Sequence, residues 1–123
     1  MFENLEIFRM AHSMSVHAGK RQALIAQNIA NADTPDYKPM DIKPFSEVMN
    51  SMNGFSSARS GELANTISAL EPYQRASNDS PNGNAVSVEE EMVNAIEARR
   101  QHDQALAIYK SALNIMRSSL GRK

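Results

Sequence analysis

Cysteine is absent from this 123-residue chain, and so is tryptophan. Without thiols there are no disulfides, no thiol catalysis and no thiolate metal sites, whichever compartment the protein occupies. Aromatic residues make up only 6% of the chain, against 41% hydrophobic residues in all, so few large side chains are on hand to fill a compact core. Charge of one sign is lacking too. Thirteen basic and 14 acidic residues leave a net charge of −1, which gives no electrostatic reason to expect nucleic acid or an anionic membrane as partner. No apolar run approaches the roughly 18 residues of a membrane span. The first residues, Met1-Phe2-Glu3-Asn4-Leu5-Glu6, carry acids where a signal peptide carries bases, so any route out of the cytoplasm is expected to do without a cleaved signal. The length allows one domain.

Glycine and proline are scarce as well, five of each, and their placement divides the chain. Residues 1–33 contain no proline and the single glycine Gly19. Ile7, Ala11, Met14, Ala18, Ile25, Ile29 and Ala32 recur at spacings of three, four or seven, one face of a helix about 45 Å long. Phe2, Leu5, Phe8, Ala23, Ala26 and Ala30 widen that face. Pro35 ends it, because the residue before a proline is pushed out of the helical region.

A second helix is predicted over 87–123. Ser87 and Glu90 match a capping box, and neither glycine nor proline follows until Gly121. Val88, Met92, Ala95, Leu106, Tyr109, Leu113, Met116 and Leu120 fit a three-four repeat, broken where Arg99 and His102 fall in register. That is a coiled-coil type of seam with a polar interruption. Arg117, Arg122 and Lys123 suit the negative end of this helix.

Between the helices lies an irregular, mostly extended segment, 34–86, with room for a short helix near 44–50. From Asn50 to Ala85, 18 of 36 residues are Ser, Asn, Gly or Pro, a composition expected not to order itself, and Asn82-Gly83-Asn84 is a turn signal. The fold class is therefore all-α: two long terminal helices, paired antiparallel, forming a coiled-coil-like inner layer in an assembly. Each helix leaves apolar surface over, and other subunits are expected to cover it.

Chemistry has little to work with. His12 and His17 are separated by about 140° around a helix and cannot share an ion. His102 lacks a carboxylate at zinc-motif spacing, so partly exposed packing roles are expected for the three. Glu89-Glu90-Glu91 is explained by the positive end of the helix dipole. Arg99-Arg100 is too small for a nucleic-acid patch and suits an acid on a neighbouring helix, or solvent. No nucleophile, phosphate-loop or zinc motif occurs, so no enzyme, cofactor or metal site is expected. Met10, Met14, Met92 and Met116 lie on or near the apolar stripes, where thioethers fill irregular interfaces. Gln27, Asn28 and Asn31 suit either helix-end capping or hydrogen bonds across a subunit contact.

Ala26-Gln27-Asn28-Ile29-Ala30-Asn31-Ala32-Asp33-Thr34-Pro35-Asp36-Tyr37-Lys38 carries a resemblance. It is similar to the N-terminal signature of the rod, hook and filament-axis proteins of the bacterial flagellum, in outline A-N-N-I-A-N-x-x-T-P-G-Y-K. Asn82-Gly83-Asn84-Ala85-Val86 leading into Glu89-Glu90-Glu91-Met92-Val93 resembles the opening of the C-terminal helix in the smallest rod members. About 50 residues between the helices leave no room for the inserted domains of hook and distal-rod relatives. Gln27 stands where the family has Asn, and Asp36 where it usually has Gly. If that position takes a positive φ, Asp is among the better substitutes.

The resemblance implies a structural part of the proximal rod in the basal body, linking the MS ring and export gate to the rest of the rod and transmitting torque. It implies export through the flagellar type III apparatus into the periplasm. Expected partners are other copies, other rod proteins, the MS-ring protein and the adaptor at the rod base. A neighbouring proximal-rod member, a coiled-coil adaptor or an export chaperone are the competing readings. Subunit contacts are expected at Ile25, Asn28, Ile29, Asn31, Thr34, Pro35 and Tyr37 on the first helix and its turn. On the second helix they are expected at Met92, Ile96, Arg99, Leu106, Tyr109, Leu113, Met116 and Leu120.

Overall fold

The computed structural model describes residues 2–52, 62–75 and 86–121, with side chains from Leu5 onward. The predicted Asn82-Gly83-Asn84 turn, Arg122, Lys123 and the Phe2 side chain lie outside the described residues. Two long helices dominate: α1, Phe2–Ala30, and a partner, Val88–Leu120. Between them come β1 (Met40–Asp41), α2 (Phe45–Ser51), α3 (Glu62–Ser68) and β2 (Tyr73–Gln74), so the last helix is α4. Helix α1 stops at Ala30, three residues short of the expected Asp33, and the chain turns through residues 31–36. Asp36 has φ 65°, the left-handed conformation that Asp tolerates better than most residues, and no other non-glycine among the described residues has a positive φ.

The long helices pack antiparallel. Asn28 meets Glu91, Arg21 meets Glu97, His17 meets Gln101 and Phe8 meets Tyr109, a descent of one helix for each ascent of the other. Their contact is not the expected seam of large residues. On α4 the buried positions are Glu91, Ala98, Ala105 and Ala112, an unbroken repeat of seven, facing Ala11, Ala18 and Ile25 of α1 at the same spacing. Small side chains at every seventh position let the two backbones approach closely. The large residues lie on the flank, about a quarter turn away.

At the start of α4, Ser87 is the N-cap and accepts from the Glu90 N–H at 3.3 Å, one half of the expected capping box. At the far end the Gly121 N–H bonds to the Arg117 carbonyl.

Within the middle of the chain, the described residues 62–75 form regular structure that their composition did not suggest. Strand β1 pairs antiparallel with β2, Met40 opposite Gln74 and Asp41 opposite Tyr73. Helix α2 falls where a short helix was expected. Helix α3 was not expected, and it forms because Leu63 and Ile67, one turn apart, bury against Phe45 and Val48 of α2. Met10, Met14 and Val16 of α1 close this small core. Lys20 reaches from α1 to the carbonyls of Ile67, Ser68 and Leu70, at 2.8–3.1 Å, and so satisfies the C-terminal end of α3.

Candidate functional site

A strap of backbone, residues 39–45, lies along α1 and is held by side chains from successive turns of that helix. Asn28 is fully buried, and its amide bonds both backbone groups of Met40, the carbonyl and the N–H, each at 2.9 Å, as a neighbouring strand would. The same amide accepts from the Tyr37 hydroxyl at 3.1 Å and donates to Glu91 at 3.1 Å. Arg21 pairs with Asp41 at 3.4 Å. His17 donates from Nε2 to the Lys43 carbonyl at 2.7 Å.

Across the strap sits Arg75, directly after β2. Its guanidinium bridges Asp41 at 2.9 Å and Glu91 at 2.5 Å, and the Arg75 backbone N–H donates to the Pro39 carbonyl at 2.8 Å. Burial works against the charge on Arg75, but the hydrogen bonds and charges of Glu91 and Asp41 outweigh it and raise the pKa above its ordinary value. Two acids, two guanidiniums and an amide thus clasp α1, the β1–β2 ribbon and α4 together. No side-chain polar atom buried among the described residues lacks a hydrogen-bond partner.

Three sequence expectations change here. Glu91, expected only to complement the helix dipole, is buried in the clasp, while Glu89 and Glu90 are exposed. His17, expected to be partly exposed, is buried, accepts from the Gln101 amide at 3.0 Å and stacks near Phe45. Burial lowers its pKa below the usual histidine value, the bond to Lys43 opposing this in part. Asn28 neither caps the helix end nor faces outward. It spends its hydrogen-bonding capacity inside the chain.

Of the residues expected at subunit contacts, Ile25 and Asn28 are covered by the chain's own fold. Asn31, Tyr37, Leu113 and Met116 are half-buried. Asn31 holds the turn after α1, donating to the Gln27 carbonyl at 2.9 Å. Ile29, Thr34, Pro35, Met92, Ile96, Arg99, Leu106, Tyr109 and Leu120 are exposed. Three apolar members of the α4 group stand well clear of the fold: Met92 is 58% exposed, and Ile96 and Leu120 are each 62% exposed. Arg75 had no sequence signal, since its partners lie 16 and 34 residues away. The heptad Glu91, Ala98, Ala105, Ala112 was such a signal, outweighed in the sequence by the larger residues beside it.

No family model matches the chain. A curated relative does. Flagellar basal body rod protein FlgB of Agrobacterium fabrum (strain C58 / ATCC 33970) is 30% identical over 127 residues, covering 96% of this chain and 95% of the relative. The chain belongs to the FlgB family. The aligned region takes in both long helices and the segment between them. Among the described residues, no helix is long and apolar enough to cross a membrane.

Proposed function

We propose that this chain is a structural subunit of the proximal rod in the flagellar basal body, joining the MS ring and export gate to the rest of the rod and passing torque along it. The observation that carries the reading is the relationship to FlgB over nearly the whole of both chains. The structure supports it physically. A 33-residue helix exposes a line of large apolar side chains that a self-sufficient monomer has no use for. The charged clasp fixes that helix to α1 and the ribbon, which suits a part that must resist twisting. Other rod proteins, the MS-ring protein and the adaptor at the rod base are the partners this reading assigns. Delivery on this reading is through the flagellar type III apparatus into the periplasm.

The test is a deletion strain complemented with a labelled chain. Loss of swimming on deletion, with the label between the MS ring and the distal rod in purified basal bodies, is expected. A label confined to the cytoplasm, or found in the hook, overturns the reading.

A further inference from the structure

The α1–α4 pair has two broad faces of opposite relief. On α4, Leu106 and Leu113 each come directly after a seam alanine, and Leu120 continues the repeat of seven. The three therefore lie about 100° to one side of the α1 contact. Gln101, Ile108 and Ile115 each come three residues after a seam alanine, about 60° to the other side. The first face is a ridge: Leu106 and Leu120 are exposed, with Leu113 half-buried between them. The second face holds a trench. A hollow of about 520 Å³, between Met10 and Met14 of α1, Gln101 and Gln104 of α4, and Phe45 and Met49 of α2, runs into another of about 310 Å³ beside Ile108 and Ile115. The two share Gln104.

Given the rod reading, on which this rests, we propose that in the assembled rod the leucine ridge of one copy lies in the trench of the next, so that copies stack front to back. Symmetry chooses the occupant. A ridge laid on a ridge closes about a two-fold axis and ends growth. A ridge in a trench is a head-to-tail contact, which leaves one free ridge and one free trench and can repeat.

Length and polarity agree. Leu106 to Leu120 and Gln101 to Ile115 each span about 21 Å of helix. Over that stretch the α4 side chains lining the trench are uncharged. The charges Arg21, Asp41, Glu97 and Arg100 gather at its other end, where Arg21 already pairs with both Asp41 and Glu97. The thioethers of Met10, Met14 and Met49 let the walls adapt to what enters. Lys110 and Arg117 are exposed and lie further round α4 than the leucines, so their charges stay in water at the rim.

The flanks of the two faces match as well. Beside the ridge, α1 presents Gly19, Ala23 and Ala26, all exposed, and a methyl group added at Gly19 would meet nothing within 4 Å. Beside the trench rises α2. When a ridge enters a trench, the low flank of one copy comes to lie over the raised flank of the next. Glycine weakens a helix interior, and no contact among the described residues calls for it at position 19; an incoming α2 does.

The chain has no cysteine, so the contact can be trapped chemically. In purified basal bodies, Leu106→Cys is combined in turn with Gln104→Cys, Ile108→Cys and Ile115→Cys. Each pair points to opposite faces of one helix, so a disulfide has to join two copies. Under mild oxidation at least one pair is expected to give trimers and longer ladders, whereas a single cysteine gives dimers at most. Chain present in basal bodies with no pair linking beyond the dimer, or with Leu106→Cys alone linking as fast as every pair, overturns the contact and leaves the rod reading standing. Wild-type chain absent from basal bodies overturns both. Should the cysteines themselves bar entry to the rod, Leu106→Ala and Ile115→Ala are each expected to lower the amount of chain in basal bodies. Val93→Ala, on the edge of α4 away from α1, is expected to leave it unchanged, and equal amounts for all three overturn the contact.

Discussion

His17 is held in one protonation state by partners of opposite hydrogen-bonding sense. The Lys43 carbonyl can only accept, so Nε2 carries the proton, and Nδ1 is left bare to accept from Gln101, whose amide also donates to the Met14 carbonyl. A second proton on the ring would face an amide N–H. Lys20 and Arg21 on α1 oppose that charge, Asp41 on β1 favours it, and burial opposes it most. Because the folded pKa lies below the unfolded value near 6.5, the stability contributed by the neutral ring is fully present above about pH 6.5 and is lost as pH falls below it. The thermal midpoint is expected to drop between pH 7.5 and 5.5, and to drop less in His17→Gln. Equal slopes in the two proteins would rule this ring out as the source.

At the scale of elements, α4 carries two lines with different duties. The small line of Ala98, Ala105 and Ala112 sets how closely α1 approaches, and the large line of Met92, Leu106 and Leu120 is left over for neighbours. Ala105→Leu forces extra methylenes into the tight contact and is expected to cost about 1–3 kcal/mol in urea denaturation. Ile96→Ala, on the exposed side, is expected to change stability by less than about 0.5 kcal/mol and yet to reduce swimming. A large loss of stability in the second variant, or none in the first, would reverse the assignment of the two faces. Both helices were legible in the sequence, because long stretches free of glycine and proline with three-four apolar spacing have few alternatives. On α1 the stripe of Ala11, Ala18 and Ile25 is the buried face, as expected, but on α4 the buried face was not legible. Size suggested the Leu and Met stripe, whereas close backbone approach rewards alanine. Helix α3 escaped notice for a related reason, since the serines and asparagines around Leu63 and Ile67 diluted a local apolar pair whose partners, Phe45 and Val48, come from elsewhere in the chain.

For the whole molecule the clasp matters most, because it joins elements that are distant in sequence. Sequence reasoning singled out Asn28 but could not pair it, as nothing local links it to Glu91 or Arg75. Removing one member of a buried charged network leaves the others unpaired, so Glu91→Ala is expected to destabilise the fold by about 3 kcal/mol. Arg75→Ala should cost somewhat less, its side chain being 21% exposed. The double variant should cost less than the two single changes combined, since each single change already forfeits the pair. Strict additivity in chemical denaturation would show that the two residues act independently.

Antiparallel pairing has a mechanical consequence. The outer ends of α1 and α4 lie side by side, so tension applied through the two ends of the chain loads the helix contact one turn at a time, as a zip is opened. A load applied along the contact would have to shear all its layers at once. Alanine layers yield little resistance per turn, and peeling meets the charged clasp only after the Phe8–Tyr109 contact and the His17–Gln101 bond have parted. Pulled by its ends in a single-molecule experiment, the chain is expected to open at low force until the clasp is reached, and there to pause. The contact is therefore anisotropic: weak when peeled from the ends, strong when sheared along its length.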